Sequence, residues 1–167
     1  MSGLEIRTPD GEDEIRDSIE IMVSSEPWIT LGRTRDEAAA ILKSDKREAY
    51  VAVLDGSVVG FIVLVLRGLV VGFIQSIAVR SDLRSRGVGR ALMEFAESRI
   101  FEDYPNVFLA VSSFNTDARR FYERLGYEEV GELRDLLVRG HSEVLLRKTT
   151  GPISEFESGK RLKAQSS

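Results

Sequence analysis

Cysteine is absent from the 167-residue chain, and histidine occurs once, at His141. Those two counts exclude a disulfide framework, a cysteine nucleophile, a Cys/His zinc site and any multi-histidine metal centre. A serine triad would have to recruit His141, and no Gly-x-Ser-x-Gly elbow is present to meet it. An acyl transfer on this chain would therefore run by direct attack of the acceptor rather than through an acyl-enzyme. Long apolar runs are missing as well: the longest, Val58 to Leu66, stops at Arg67, too short to cross a bilayer. There is no excess of basic charge either. A net charge of -4 and a pI near 5.2 argue against a nucleic-acid partner. Glu5, Asp10, Glu12, Asp13 and Glu14 crowd the start, where a signal peptide would be basic and apolar. The expectation is one cytoplasmic domain with no metal and no membrane contact, large enough to bury its own core.

Positive charge is present, but concentrated. Arg80, Arg84, Arg86 and Arg90 face only Asp82 across one short stretch, which suits a small polyanion better than DNA. That stretch sits inside Gly72 to Ile100, read as a strand, an Arg84-x-x-Gly87-x-Gly89 turn and a helix. Phe73, Ile74, Ile77, Ala78 and Val79 predict a strand covered on both faces. Val88, Ala91, Leu92, Phe95, Ala96 and Ile100 recur at helical spacing and leave Arg90, Glu94, Glu97 and Arg99 for the polar side. The helix should begin near Gly87, where unpaired N–H groups carry partial positive charge and bind phosphate through backbone. Gly87 and Gly89 permit close approach, and Arg84, Arg86 and Arg90 add full charges. Taken alone, the turn reads equally as a solvated basic loop. It is neither a dinucleotide fingerprint, because Leu92 stands at the third glycine, nor a P-loop.

Elsewhere the pattern predicts a first strand at Leu4 to Arg7 and a helix carrying Ile15, Ile19, Met22 and Val23 inward. Pro27 breaks the pattern between Ser24 and Gly32, where Trp28 is either a core cap or a ligand contact. Thr34-x-x-Glu37 is a capping box starting a helix through Lys43. Strands at Glu48 to Leu54 and Ser57 to Leu66 flank Asp55-Gly56, a strong hairpin signal. A strand at Val107 to Val111 completes a crossover with the Phe73 strand and should lie parallel to it. A helix over Asn115 to Leu125 ends at Gly126, and Glu128 to Leu133 with Ser142 to Lys148 form a closing hairpin. From Gly151 onward, glycine, proline, serine and charge predict a flexible tail.

The second motif is Asn115-x-x-Ala118-x-x-Phe121-Tyr122-x-x-x-Gly126-Tyr127. With the Arg84 to Gly89 turn about thirty residues upstream, the chain resembles the GNAT family of acetyl-CoA-dependent N-acetyltransferases, from Leu4 to about Lys148. The resemblance implies an α/β (α+β) fold over residues 1–150: a mixed, mostly antiparallel sheet of about seven strands flanked by about four helices. It leaves 151–167 as the tail. It also implies that Arg84, Ser85, Arg86, Gly87, Val88, Gly89 and Arg90 hold the coenzyme A pyrophosphate. The strand through Ile77, Ala78 and Val79 would pair with the pantetheine arm, the Ile77 N–H polarising the thioester carbonyl. Asn115, Ala118, Phe121 and Tyr122 would complete the cofactor wall, with Asn115 touching the pantetheine or the incoming amine as a catalytic residue and Tyr122 protonating the departing thiolate. Read from the residues alone, Tyr122 could equally be core, and Asn115 could simply cap its helix.

The pattern departs from the family at the base. Its usual seats are occupied by Ala110 and Phe73, and the remaining candidates are Glu26, Asp135, His141 and Glu143. An α-amine of pKa about 7.7 to 8 is neutral about one time in six at pH 7, a lysine amine less than about one time in a thousand. The chain is thus expected to acetylate a small-molecule amine or a peptide α-amine, with Glu26, Trp28, Asp135 and His141 lining the acceptor site. Two rival readings stand beside this one: a non-catalytic acyl-CoA sensor, and a site for another phosphate ligand such as a nucleotide. A homodimer through the closing hairpin or a sheet edge is compatible with the sequence.

Overall fold

The computed structural model describes residues 3–68 and 71–157. Seven strands form one sheet in the order β1-β2-β3-β4-β5-β7-β6. These are β1 (Glu5–Arg7), β2 (Glu48–Leu54), β3 (Ser57–Val65), β4 (Phe73–Val79), β5 (Asn106–Ser112), β6 (Glu128–Arg134) and β7 (Ser142–Thr149). Four α-helices accompany them: α1 (Glu12–Val23), α2 (Arg35–Leu42), α3 (Val88–Phe101) and α4 (Thr116–Arg124). The sheet is mixed and mostly antiparallel, as the sequence pattern implied. The last strand inserts between its predecessors, so β7 pairs with β5 on one side and β6 on the other, antiparallel to both.

Two compact units divide the chain: 1–65 with 74–96, and 66–73 with 97–167. In the first, the β2–β3 hairpin closes on Asp55 and Gly56, both at positive φ, as a two-residue type I′ turn demands. Its core gathers Met22 of α1, Ala38 and Leu42 of α2, Val51 and Phe61 of the hairpin, and Trp28. α2 starts with the capping box, the Thr34 hydroxyl accepting from the Glu37 N–H while the Glu37 carboxylate accepts from the Thr34 N–H. On α1 the buried positions are Ser18, Ile21 and Met22, with Ile15, Ile19 and Val23 flanking.

One strand differs from its sequence reading. β4 alternates: Ile74, Ser76 and Ala78 are buried, and Phe73, Gln75, Ile77 and Val79 are half-buried. The strand covered on both faces is β3, buried without interruption from Val58 to Leu64. Gln75 falls on the half-buried face with Phe73, Ile77 and Val79, whereas the small Ser76 is accommodated on the buried one.

In the second unit β5 alternates too, burying Val107, Leu109 and Val111 opposite Val144 and Leu146 of β7. β6 is exposed along its length except at half-buried Gly131. Beyond Thr149, one 3-10 turn spans Ile153–Glu155, and residues 158–167 of the expected tail lie outside the described residues.

β1 is tied to α1 by one bidentate ion pair, Arg7 Nη1 and Nη2 to Glu14 at 2.8 and 2.7 Å. Arg7, with the Asp10 N–H, holds the Glu14 carboxyl down at about 2. A carboxylate whose pKa falls on folding stabilises the protein above its unfolded pKa, about 4.3, and loses that contribution as pH drops through the folded value. Glu14→Gln should therefore lower stability at pH 7 and leave it unchanged near pH 2. Denaturant unfolding at the two pH values measures this, and an equal loss at both would show that the pair contributes packing rather than charge.

Candidate functional site

The Arg84-x-x-Gly87-x-Gly89 turn lies wholly in the first unit. A 3-10 turn, Ser81–Leu83, follows β4, and residues 84–87 turn again before α3 begins at Val88. Ser85 (φ 61°) and Gly87 (φ 90°) are both left-handed, reversing the chain twice in three residues. The Gly87 carbonyl accepts the first helical bond, from the Ala91 N–H at 3.0 Å. The N–H groups of Val88, Gly89 and Arg90 thus precede the helical ladder and point out of the helix start. A Cβ placed on Gly87 would meet no atom within 4 Å, so the space in front of that backbone is open.

The arginines divide by partner. Arg84 donates to Ser25 Oγ at 3.1 Å and to the Val79 carbonyl at 3.3 Å, pinning the turn to the loop after α1. Arg80 is neutralised by Asp82, and Arg90 pairs with Glu94 at 2.8 Å one helical turn on. Among the described residues Arg84 and Arg86 make no ion pair, and of the two only Arg84 is held by hydrogen bonds, which leaves the exposed Arg86 side chain the freest of the group. The loop that Arg84 pins carries Trp28 and Glu26. Trp28 is buried in the core, its ring 6.3 Å from Phe61, which leaves little of it for an acceptor. Glu26 is exposed and accepts from Thr30 N–H and Oγ1.

In the second unit the motif around Tyr122 has a local explanation. Asn115 caps α4, its Oδ1 accepting from the Ala118 N–H at 3.3 Å. At the other end, the Gly126 N–H bonds to the Glu123 carbonyl and the Tyr127 N–H to the Tyr122 carbonyl. That pair of bonds is a Schellman cap with Gly126 in the left-handed position at φ 89°. Its hydrophobic contact is Tyr127 against Tyr122, ring centroids 5.9 Å apart. The spacing of Tyr122, Gly126 and Tyr127 is therefore the spacing of one helix terminus, and it fixes the Tyr122 ring in place. Phe121 and Ala118 are half-buried beside it. Tyr122 is buried, and its hydroxyl has no hydrogen-bond partner among the described residues. Burial alone pushes its proton affinity well above that of an ordinary phenol, so the phenol stays neutral at physiological pH.

A second polar group lies at the end of β5. Glu143, two residues after His141, is 2% exposed, and its Oε1 accepts from Ser112 Oγ at 2.7 Å. Burial raises the Glu143 carboxyl above the usual carboxylate range, against the opposing pull of the Ser112 hydrogen bond and the His141 charge. His141 is half-buried and lies edge-on to Phe114 at 5.3 Å. Asp135 instead serves its own loop, at φ 53°, accepting from the Gly140 N–H. Ser112 carried no signal in the sequence. Gln75, on the same face of β4 as Ile77 and Val79, was also missed: its Oε1 is buried with no hydrogen-bond partner among the described residues. A polar residue interrupting an otherwise apolar strand was the available cue.

The model of the Acetyltransferase (GNAT) family matches residues 14–127, and the chain belongs to that family. Among curated relatives, an uncharacterised N-acetyltransferase of Methanocaldococcus jannaschii is 37% identical over 59% of this chain and 64% of its own length. The chain thus spans just under two thirds of that protein. An N-alpha-acetyltransferase of Sulfurisphaera tokodaii is 33% identical over 63% of this chain and 71% of its own. Among solved structures, Ard1 of Thermoplasma volcanium superposes with a TM-score of 0.75 at 25% identity, covering 90% of this chain and 99% of that one.

Proposed function

We propose that this chain transfers an acetyl group from acetyl-CoA to a primary amine, a small-molecule amine or a peptide α-amine, by direct attack within a ternary complex. The observation that carries the reading is the start of α3. Three N–H groups precede the helical ladder, the space before Gly87 is open, and Arg86 has no ion pair among the described residues. Those features fit a pyrophosphate, with backbone supplying geometry and Arg86 supplying charge.

Acetyl-CoA, when bound, supplies the activated acyl group as a thioester. The chain's residues do the rest. Arg84 to Arg90 bind the pyrophosphate, and the main chain of Ile77 and Val79 orients the pantetheine. The Ile77 N–H withdraws charge from the thioester carbonyl. Asn115, Ala118 and Phe121 flank the arm. Tyr122 keeps its proton because it is buried, and gives it to sulfur as the C–S bond breaks. A name shared by a relative, N-alpha-acetyltransferase, supports an α-amine acceptor over a lysine side chain.

The test is thiol release from acetyl-CoA across small amines, α-amine peptides and lysine peptides. Release should depend on the acceptor and favour α-amines near neutral pH, where more of them are unprotonated. Tight coenzyme A binding without release from any acceptor would replace this reading with the acyl-CoA sensor.

A further inference from the structure

Glu143 is a buried acid without a cation. Its side chain is 2% exposed, that of Ser112 is fully buried, and the bond between them is the single hydrogen bond to the Glu143 carboxylate among the described residues. No ion pair to it is found among those residues, and His141 is the one charged group whose field favours its ionised form. Burying a carboxylate with no counter-ion is costly, and proteins keep such a group where something else provides the positive charge.

Its surroundings say what that something is. In the register of β7, Glu143 stands between Ser112 of β5 and Leu133 of β6. The Ser112 carbonyl accepts the N–H of Asn115, the residue that caps α4, and the Ser113 N–H bonds to the Ser142 carbonyl. The Ser112 that holds the carboxylate thus also anchors, through its backbone, the residue that caps α4. The register partner of Glu143 on β6, Leu133, is exposed, and Leu136, Leu137 and Val138, also exposed, follow in the loop after that strand. Toward β6 the burial is shallow, because Leu133, the register partner there, is exposed. Other charges face elsewhere. Glu132 and Arg134 pair with Val144 and Ser142, so they project from the opposite side of the sheet, Asp135 is bound to Gly140, and Arg139 is exposed.

We infer that Glu143 is the counter-ion and proton acceptor for the acceptor's ammonium group, acting through one bridging water, with the apolar part of the acceptor resting on Leu133 and its neighbours. The inference rests on the acetyltransfer reading. Of the three ammonium protons, one passes through the water to the Glu143 carboxylate and on to solvent. The freed lone pair forms the C–N bond as the C–S bond breaks. A second proton leaves nitrogen to replace the one Tyr122 gives to sulfur, and the third stays on the amide. The Ser112 hydrogen bond is a positioning contact that favours the ionised carboxylate.

The experiment compares kcat and KM against pH for the parent, Glu143→Gln and Ser112→Ala, with coenzyme A affinity and thermal unfolding recorded alongside. In the parent, kcat should rise with pH along a limb set by Glu143. Glu143→Gln should lower neutral-pH kcat about 100-fold, abolish that limb and recover at alkaline pH as the amine deprotonates itself. Coenzyme A affinity and melting temperature should not fall. Ser112→Ala, which removes a bond to the ionised form, should move the limb to higher pH with a smaller loss. An unchanged limb in both variants, or losses matched by lost cofactor affinity, would overturn the proposal. If the parent transfers to no amine, the functional reading fails separately. Amine binding to the coenzyme A complex then decides: at least tenfold weaker binding in Glu143→Gln supports the counter-ion role, and equal binding rejects it.

Discussion

Tyr122→Phe is expected to lower kcat by about 10²- to 10⁴-fold while leaving coenzyme A affinity and thermal stability unchanged. The substitution removes one oxygen and keeps every ring contact: Phe121 at 5.3 Å, Tyr127 at 5.9 Å, and the Schellman cap, which is made by backbone. No hydrogen bond among the described residues is lost with it, so a purely structural Tyr122 predicts an unaltered kcat. The sign of the pH dependence follows from burial, which raises the phenol's pKa above its ordinary value of about 10. The hydroxyl therefore remains a donor throughout the neutral and mildly alkaline range, and Tyr122 contributes no alkaline limb there. Single-turnover thiol release with saturating cofactor and acceptor measures the step. A variant as fast as the parent would remove Tyr122 from the chemistry and assign its ring to the helix end alone.

The parts of this protein legible in the sequence are those set by local rules. Asn115, Gly126 and Tyr127 could be read because one helix, nine residues from Thr116 to Arg124, fixes where its caps must fall. Thr34 with Glu37, and Asp55 with Gly56, are local in the same way, and the phosphate turn is a strand end, two left-handed residues and a helix start. What was not legible depends on partners distant in sequence. Ser112 meets Glu143 across thirty-one residues, and Arg84 meets Ser25 across fifty-nine. Neither contact leaves a periodic trace. β4 was misread for a different reason: its apolar residues form a run by composition, but burial follows the alternation of the pleat, and Gln75 sits on the half-buried face. Trp28 shows the opposite balance, since a lone aromatic among loop residues still finds the core when Phe61 is within reach.

Gly87→Ala should weaken coenzyme A binding at least tenfold while costing only about 1–2 kcal/mol of stability, the usual cost of a left-handed L-residue. The two effects separate because of where the new methyl would go. Among the described residues nothing beyond its two chain neighbours lies within 4 Å of it, so no packing is disturbed, and the strain comes from φ 90° alone. In the proposed complex that same space admits the pyrophosphate to the N–H groups of Val88, Gly89 and Arg90, which a methyl both obstructs and, by relaxing the turn, reorients. Arg86→Ala provides the charge control. With no ion pair to break among the described residues, it should leave stability alone and make binding weaker and less salt-dependent. Calorimetric titration with coenzyme A at low and high salt, repeated with ATP as competitor, reads the affinities and their salt dependence, and denaturant unfolding reads the stabilities. Unimpaired coenzyme A binding in Gly87→Ala would place the cofactor elsewhere. ATP competing as well as coenzyme A would show that the turn recognises phosphate without the pantetheine contacts assigned to Ile77 and Val79. Preference for coenzyme A, lost with Gly87 and blunted with Arg86, is the result expected of a helix start that supplies geometry through backbone and affinity through the Arg86 charge.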